Sequence, residues 1–449
     1  MRIEKVVFKK LFGFYNYSIK INEAITIIHG VNGCGKTTML KIIDAVFNKN
    51  IDLLKTTDFE TVQILFDNSS VLSIERKRIP LNTSNDANGI HYLVYTVIID
   101  GKEVVYDAFE NKKEIAEIIE KSLRAYRPLP FLERISEEKW FNRRDDAYYT
   151  TNEIIEKYGE IFYRRYARDI VDDSIPEEVE LMLSSVKVRL ITADRLTVQK
   201  RVESQYRDDS DNYKVEKRVD IIAKDVSKRI KDTIQEYAQL SQAKDRTFPI
   251  RAIKADSPMP VEEIKKKMFE LEAKRKEFIE TGLLQEETDD IDIHDLVESI
   301  TESNRQNLSL YAIDTEEKLN ALSSLSSAIN HFRTLVDRNF SNKRIVFNKE
   351  FGFKFITTYS DALIPPHNLS SGEQHELVML YDLIFNTAPD TLILIDEPEL
   401  SLHIKWQLSY LDELLKIIDR SAFYAVLATH SPQIIHDRWD LTISLSDTE

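Results

Sequence analysis

Glycine, cysteine and basic charge are all in short supply in this chain. It has 10 glycines and one cysteine in 449 residues, and 61 Lys and Arg against 76 Asp and Glu. A single cysteine, Cys34, excludes an internal disulfide framework and suits a reducing cytoplasm. A net charge of −15 argues against a protein coated in nucleic acid by general electrostatics. It leaves room for a local basic groove, to which IKKKMFELEAKRK (264–276) and SNKR (341–344) would contribute. EETDDIDIHD (286–295) would repel phosphate, and each of these runs also reads as a plain solvated face. No apolar run reaches the roughly 18 residues of a membrane span. The opening MRIEKVVFKK alternates apolar and polar residues and has no apolar h-region, so it reads as a strand and not a signal peptide. Hydrophobic residues at 42% and charged residues at 31% fit a globular chain of two or three domains with much solvated helix.

Three of the ten glycines fall within IIHGVNGCGKTTML (27–40). AITIIHG (24–30) reads as a short buried strand. KTTMLKIIDAVF (36–47) has the apolar spacing of a helix buried on one side. Between them Gly30-x4-Gly35-Lys36-Thr37 is the P-loop pattern in its strand–loop–helix setting. Backbone N–H groups that wrap a phosphate need positive φ and no Cβ, and the helix N-terminus adds its dipole to the anion site. Lys36 would reach the β and γ phosphates, and the Thr37 hydroxyl would ligate Mg2+. Asn32, Gly33, Gly35, Lys36, Thr37 and Thr38 are the expected ATP-binding set. Cys34 reads as a small tolerated side chain.

In TLILIDEPELSLH (391–403), four apolar residues run into Asp396 and Glu397, as at the end of a central parallel strand. Asp396 would emerge beside the P-loop and hold Mg2+ through water. Glu397 is placed to polarise an attacking water, and Pro398 would end the strand. AFYAVLATHSPQII (422–435) is a further apolar strand, with His430 at its carboxyl end within reach of a γ-phosphate. PHNLSSGEQHELVML (366–380) places Ser370 as a helix N-cap, with Glu373 completing a capping box. Ser370 and Gly372 there would form a second phosphate cradle.

Taken together, GVNGCGKTT, LSSGEQ and DEPELSLH resemble the ABC-type ATPases, and within them the SMC and double-strand-break-repair branch with its RecF-like and overcoming-lysogenization-defect relatives. The motifs lie in roughly 1–70 and 365–435. The resemblance implies that Ser370 and Gly372 bind the γ-phosphate held by the P-loop of a second copy. ATP would then join a head-to-tail pair with two shared sites. It also implies that His430 is the switch histidine. The signature departs from the family pattern at Ser371, where glycine is usual.

In the middle of the chain, VKVRLITADRLTVQKR (186–201) reads as a strand and a turn. Gln199 is either a Q-loop glutamine touching Mg2+ or simply a polar helix start. Arg195 is either a structural cap or a phosphate partner. Apolar spacings of three and four mark helices in 211–243, 261–280 and 315–340, each too short for the long arms of SMC proteins. KKEIAEIIEKSL and EEVELMLSS make 109–185 helix-rich, with a break at Pro128 and Pro130. NTSNDANG (82–89) reads as the turn of a strand pair.

The expected fold is α/β: an ABC-type P-loop ATPase head, with a mixed or parallel sheet and flanking helices, interrupted by helical insertions and a short helical arm. Its expected parts are the N-terminal lobe 1–108 with the P-loop, a helical insertion 109–185, a lobe continuation 186–205, the arm 206–345, and the C-terminal lobe 346–449 carrying signature, acidic strand and His430. The catalytic pair is Glu397 and His430, the cofactors are ATP and Mg2+, and the metal ligands are Thr37 and Asp396. The 19 residues after His430 leave no room for a TOPRIM nuclease, and no nuclease motif is visible. The layout resembles the PtuA-type ATPase subunit of Septu antiphage systems. That implies a cytoplasmic homodimer or higher oligomer gating a separate HNH-type nuclease, with DNA as a plausible partner and no membrane. The alternative is a DNA-repair ATPase that binds DNA directly without a nuclease.

Overall fold

The computed structural model describes residues 1–80, 89–107, 131–136, 139–151, 153–154, 157–158, 175–201, 213–254, 258–285, 297–298 and 300–445. The chain divides into two units. One comprises Met1–Thr192, Ala388–Pro398 and Leu411–Glu449, and the other Ala193–Thr387 and Glu399–Tyr410. Among the described residues no helix is long and apolar enough to cross a membrane.

The first unit contains a wholly parallel five-stranded sheet. Its strands are β3 (Ile25–His29), β11 (Lys187–Ile191), β17 (Thr391–Asp396), β18 (Tyr424–Thr429) and β19 (Thr442–Ser444), in the order β11-β17-β18-β3-β19. Every residue of β17 and β18 is buried, which is why both read as unbroken apolar runs. A second, antiparallel sheet has the order β2-β1-β4-β5-β6-β7. It is built from β1 (Ile3–Leu11), β2 (Tyr15–Lys20), β4 (Thr61–Phe66), β5 (Val71–Pro80), β6 (Gly89–Ile99) and β7 (Lys102–Asp107). Strands β5 and β6 form the expected pair around 82–89, whose residues 82–88 lie outside those described.

Helix α1 (Lys36–Phe47) buries Met39, Leu40, Ile42, Ile43, Ala45, Val46 and Phe47. At 3.6 residues per turn those positions cover more than half its circumference, not the single side expected. One hydrophobic core explains this. It joins Phe8, Val62 and Ile64 of the antiparallel sheet, the α1 residues, and Leu392, Leu394 and Val426 of the parallel sheet. Helix α2 (Ile51–Thr56) follows, capped by the Asn50 side chain.

The described part of 109–185 shows EEVELMLSS as a helix and adds strands that the helix-rich reading did not foresee. It holds a three-stranded sheet of β8 (Leu132–Arg134), β9 (Lys139–Asn142) and β10 (Ala147–Thr150), besides the helix α3 (Glu177–Ser184). Trp140, Phe141, Tyr148 and Tyr149 supply the aromatic strand preference that outweighs a short helical pattern. Residues 112–123, Pro128, Pro130 and 286–295 lie outside the described residues.

The second unit is built on three helices, α4 (Arg218–Lys254), α5 (Val261–Glu280) and α6 (Arg305–Asn339). The segment 211–243 therefore begins in a strand, β13 (Tyr213–Lys217), paired with β12 (Thr197–Arg201), and its helix continues beyond 243 through Pro249. At 37 residues α4 is about 55 Å long. Arg251 holds the buried Asp314 of α6 through two bonds of 2.5 and 2.6 Å. A sheet of β14 (Lys343–Asn348), β15 (Gly352–Thr357) and β16 (Ser360–Ile364) follows, and then helix α7 (Ser371–Phe385). Phe332 of α6 meets Phe347, Phe353 and Phe385 edge-on, tying that sheet and α7 to the long helix. Helix α8 (Ile404–Ser421) begins in this unit and ends in the first, and a short α9 (Pro432–Ile435) follows β18. The stretches read as 186–205 and 346–449 are each shared between the two units: β11 and β17 join the parallel sheet of the first, while the segment after β11 and the segments on both sides of β17 belong to the second.

Candidate functional site

Strand β3 delivers the chain to the glycine loop at the carboxyl edge of the parallel sheet. Gly33 and Gly35 have φ of 85° and 93°, the left-handed region that favours glycine. A Cβ on Gly35 would meet the Leu11 Cδ2 at 2.9 Å and the Phe12 ring at 3.1 Å, while one on Gly33 would meet nothing within 4 Å. The bare turn is therefore packed beneath Gly35 and open above Gly33. Gly35 is the N-cap of α1 and offers no side-chain cap, and the first turn carries no acid. The helix start thus presents N–H groups and a positive dipole end with no acid in its own first turn. Asn32 is exposed in the turn and Thr38 is half-buried. Cys34 is buried, and its carbonyl accepts from the Tyr17 hydroxyl at 2.9 Å. Burial first, then the charges of Cys34 and Tyr15, push that phenol up to about 12.

Four of the expected site residues meet in pairs. The Lys36 ammonium, only 5% exposed, donates to the carbonyls of Gly30 at 2.9 Å and Val31 at 3.2 Å. It also lies 3.2 Å from Nδ1 of His430. An ammonium has no acceptor, so Nδ1 accepts and the ring proton sits on Nε2. The Thr37 hydroxyl donates to Asp396 Oδ1 at 2.9 Å. Hydroxyl and carboxylate oxygens are the hard donors that Mg2+ takes, so this pair fits the ion the motif implies.

The sheet order explains how residues so distant in sequence converge. Strand β18 lies between β3 and β17, so Asp396 does not leave a strand adjacent to the P-loop strand. In register, Asp396 faces Ala428, and Thr429 faces His29. All three strands therefore end on one edge. Glu397 follows at φ 43°, a left-handed conformation unusual for glutamate, with its N–H on the Ala428 carbonyl at 2.9 Å. The sequence pattern gave no sign of this. Pro398 alone was expected to end the strand, whereas the backbone already turns at Glu397.

Gln199, Ser370 and Gly372 belong to the second unit. Gln199 is in β12 opposite Val215, a strand position and not a helix start. Ser370 caps α7 with the full capping box, and its side chain is exposed. A Cβ on Gly372 would stand 2.4 Å from the Ser401 carbonyl, so this approach admits only glycine.

The sequence reading left Arg195 open between a cap and a phosphate partner. In the structure it is 3% exposed, and its Nε donates to Nδ1 of His375 on α7 at 3.1 Å. Burial, then the Arg195 charge, hold the His375 imidazole down to about 4, against a weaker opposing pull from Asp194. The folded value lies below the unfolded 6.5, so the stabilisation is fully present above pH 6.5 and is lost as pH falls toward 4. The unfolded chain takes up a proton there that folded His375 refuses. This group then costs up to roughly 3 kcal/mol of folding stability at the acid end. Urea midpoints at pH 7 and pH 5 should therefore diverge more for the native chain than for His375→Gln. Equal divergence in both would remove His375 from the account.

The chain matches the AAA ATPase domain family over residues 1–435. No curated protein sequence matches it. Two solved structures align with nearly its whole length. One is a crystal structure of the Smc head domain with an extended coiled coil, bound to the C-terminal domain of ScpA, from Pyrococcus furiosus. It shows 13% identity over 97% of this chain and 91% of that chain, with a TM-score of 0.34. The other is a crystal structure of the SmcHead bound to the C-winged helix domain of ScpA, at 11% identity over 97% and 91%, with a TM-score of 0.34. A single family match spans the glycine loop, the acidic strand and His430, and so this chain belongs to the AAA ATPase domain family.

Proposed function

We propose that the chain is an SMC-like, ABC-type ATPase that converts ATP and water to ADP and phosphate between two copies of itself paired head to tail. The observation that carries this reading is the convergence of Lys36 with His430 and of Thr37 with Asp396 at one edge of the parallel sheet. In this reading the loop N–H groups of Asn32 to Thr38 cradle the phosphates, and Lys36 exchanges its carbonyl partners for the β and γ oxygens. Thr37 and Asp396 would hold Mg2+, which supplies charge neutralisation at those oxygens. Glu397 takes the proton of the attacking water, and His430 turns its Nε2–H to the γ-phosphate. Ser370 and Gly372 of the second copy close the site, with Gln199 as a further contact.

Hydrolysis would gate a separate HNH-type nuclease chain acting on invading DNA, as in the PtuA-type subunit of Septu systems. The chain length, the short helical arm and the likeness of LSSGEQ support that assignment. The pairing is tested by light scattering on Glu397→Gln with ATP and Mg2+. A shift from 52.3 kDa to twice that mass is expected, abolished by adding Ser370→Arg. A chain that stays monomeric at saturating ATP overturns the head-to-tail reading. Purification of the tagged chain from its host should bring down a nuclease chain. A lone homodimer whose ATPase rate rises with DNA would instead assign it to DNA repair.

A further inference from the structure

The signature residue Ser370 is surrounded by a charge arrangement that the capping box alone does not require. Glu373 Oε2 accepts from both the Ser370 N–H and the Ser370 hydroxyl, each at 2.9 Å. Its other oxygen, Oε1, accepts from the Lys343 ammonium at 2.5 Å. The pair is largely shielded, with Lys343 26% and Glu373 12% exposed at the side chain. Lys343 begins β14, and the turn that delivers it is held in place. Asn342 takes a left-handed φ of 61°, and the Ile345 N–H bonds to Asp337 at 2.8 Å. Burial pushes the Glu373 carboxyl up, but the Lys343 and Ser370 hydrogen bonds outweigh it and hold the group below the usual glutamate range. Glu373 is therefore an anion whose charge lies directly against the hydroxyl that would meet a γ-phosphate.

We propose that Lys343 is a positioning residue for ATP-driven pairing: it neutralises Glu373 so that Ser370 can accept an incoming triphosphate. This inference rests on Ser370 and Gly372 being the phosphate ligands proposed above. An uncompensated carboxylate one hydrogen bond from a phosphate site, with little water to screen it, repels the ligand. The lysine of SNKR, read in the sequence as part of a solvated or basic face, acquires a specific partner in this way.

The test uses the full chain carrying Glu397→Gln, so that hydrolysis does not interfere, and reads the ATP concentration that gives half-maximal dimer. Lys343→Ala should raise it about tenfold or more. Lys343→Arg, which keeps the charge, should stay within about threefold. Glu373→Gln removes the charge but keeps a capping-box residue. The double variant Lys343→Ala/Glu373→Gln should therefore return to within about threefold of the parent. Fluorescent ATP binding to the monomer, at concentrations too low for pairing, should be unchanged by Lys343→Ala. On the Glu397 parent, the same lysine change should raise KM more than it lowers kcat. A Lys343→Ala chain that pairs normally overturns the inference, as does a loss that Glu373→Gln leaves uncorrected. If Ser370→Arg itself pairs normally, the phosphate reading of the signature fails, a result separable from either of these.

Discussion

Lys36→Ala should abolish ATP binding at micromolar nucleotide, with the dissociation constant expected to rise at least about a hundredfold by calorimetry. Lys36 is the first residue of α1, almost fully buried, and its ammonium sits on the carbonyls of Gly30 and Val31 inside the glycine turn. Its charge is thus aimed where the loop N–H groups converge. Two charge-assisted bonds to phosphate oxygens, at roughly 1.5–3 kcal/mol each, account for a loss of that size. Lys36→Arg should be nearly as damaging. The guanidinium is a planar fork and not a point charge, and it must fit where Nζ now lies 3.2 Å from His430. A chain lacking Lys36 that binds ATP with native affinity would remove the glycine loop from the proposal altogether.

Glu397→Gln should separate binding from chemistry. Gln keeps the shape and one acceptor of the side chain but cannot take a proton from water. Turnover should fall by about 10²–10⁴, while ATP affinity stays within about threefold of native. Single-turnover hydrolysis of pre-bound ATP is the measurement, because it isolates the chemical step from release. The backbone gives a reason to expect that the variant folds. The left-handed φ of Glu397 is held by the Ala428 carbonyl bond and by strand register, neither of which involves the carboxylate. Hydrolysis at the native rate would show that another group activates the water.

Both predictions rest on residues that were readable in the sequence, and for a common reason. A glycine turn, a lysine and a threonine at adjacent positions form a local pattern whose chemistry needs no distant partner to be recognised. The Ser370–Glu373 capping box is equally local, closed within one helical turn. The apolar runs of β17 and β18 declared burial on both faces and hence a parallel sheet. What went unread had weaker local signals or none. The short strands β8 to β10 have four residues or fewer each, a length at which periodicity cannot separate strand from helix. The strand at Tyr213–Lys217 was missed because five residues are too few for a period-2 pattern to stand out beside the long helix that follows.

By itself, then, the amino-acid sequence determined the chemical inventory: a glycine loop with a lysine and a threonine, two acids after a buried strand, a histidine after another, and a helix with a capping box. Only the tertiary structure decided who meets whom. Lys36 finds His430 across 394 residues, Thr37 finds Asp396 across 359, and Arg195 finds His375 across 180. The physical reason is that side-chain partners are set by strand order and register. A one-residue slip in β17 or β18 would turn each exiting side chain to the other face. Register is specified by the summed burial of many apolar residues, so no single motif contains it.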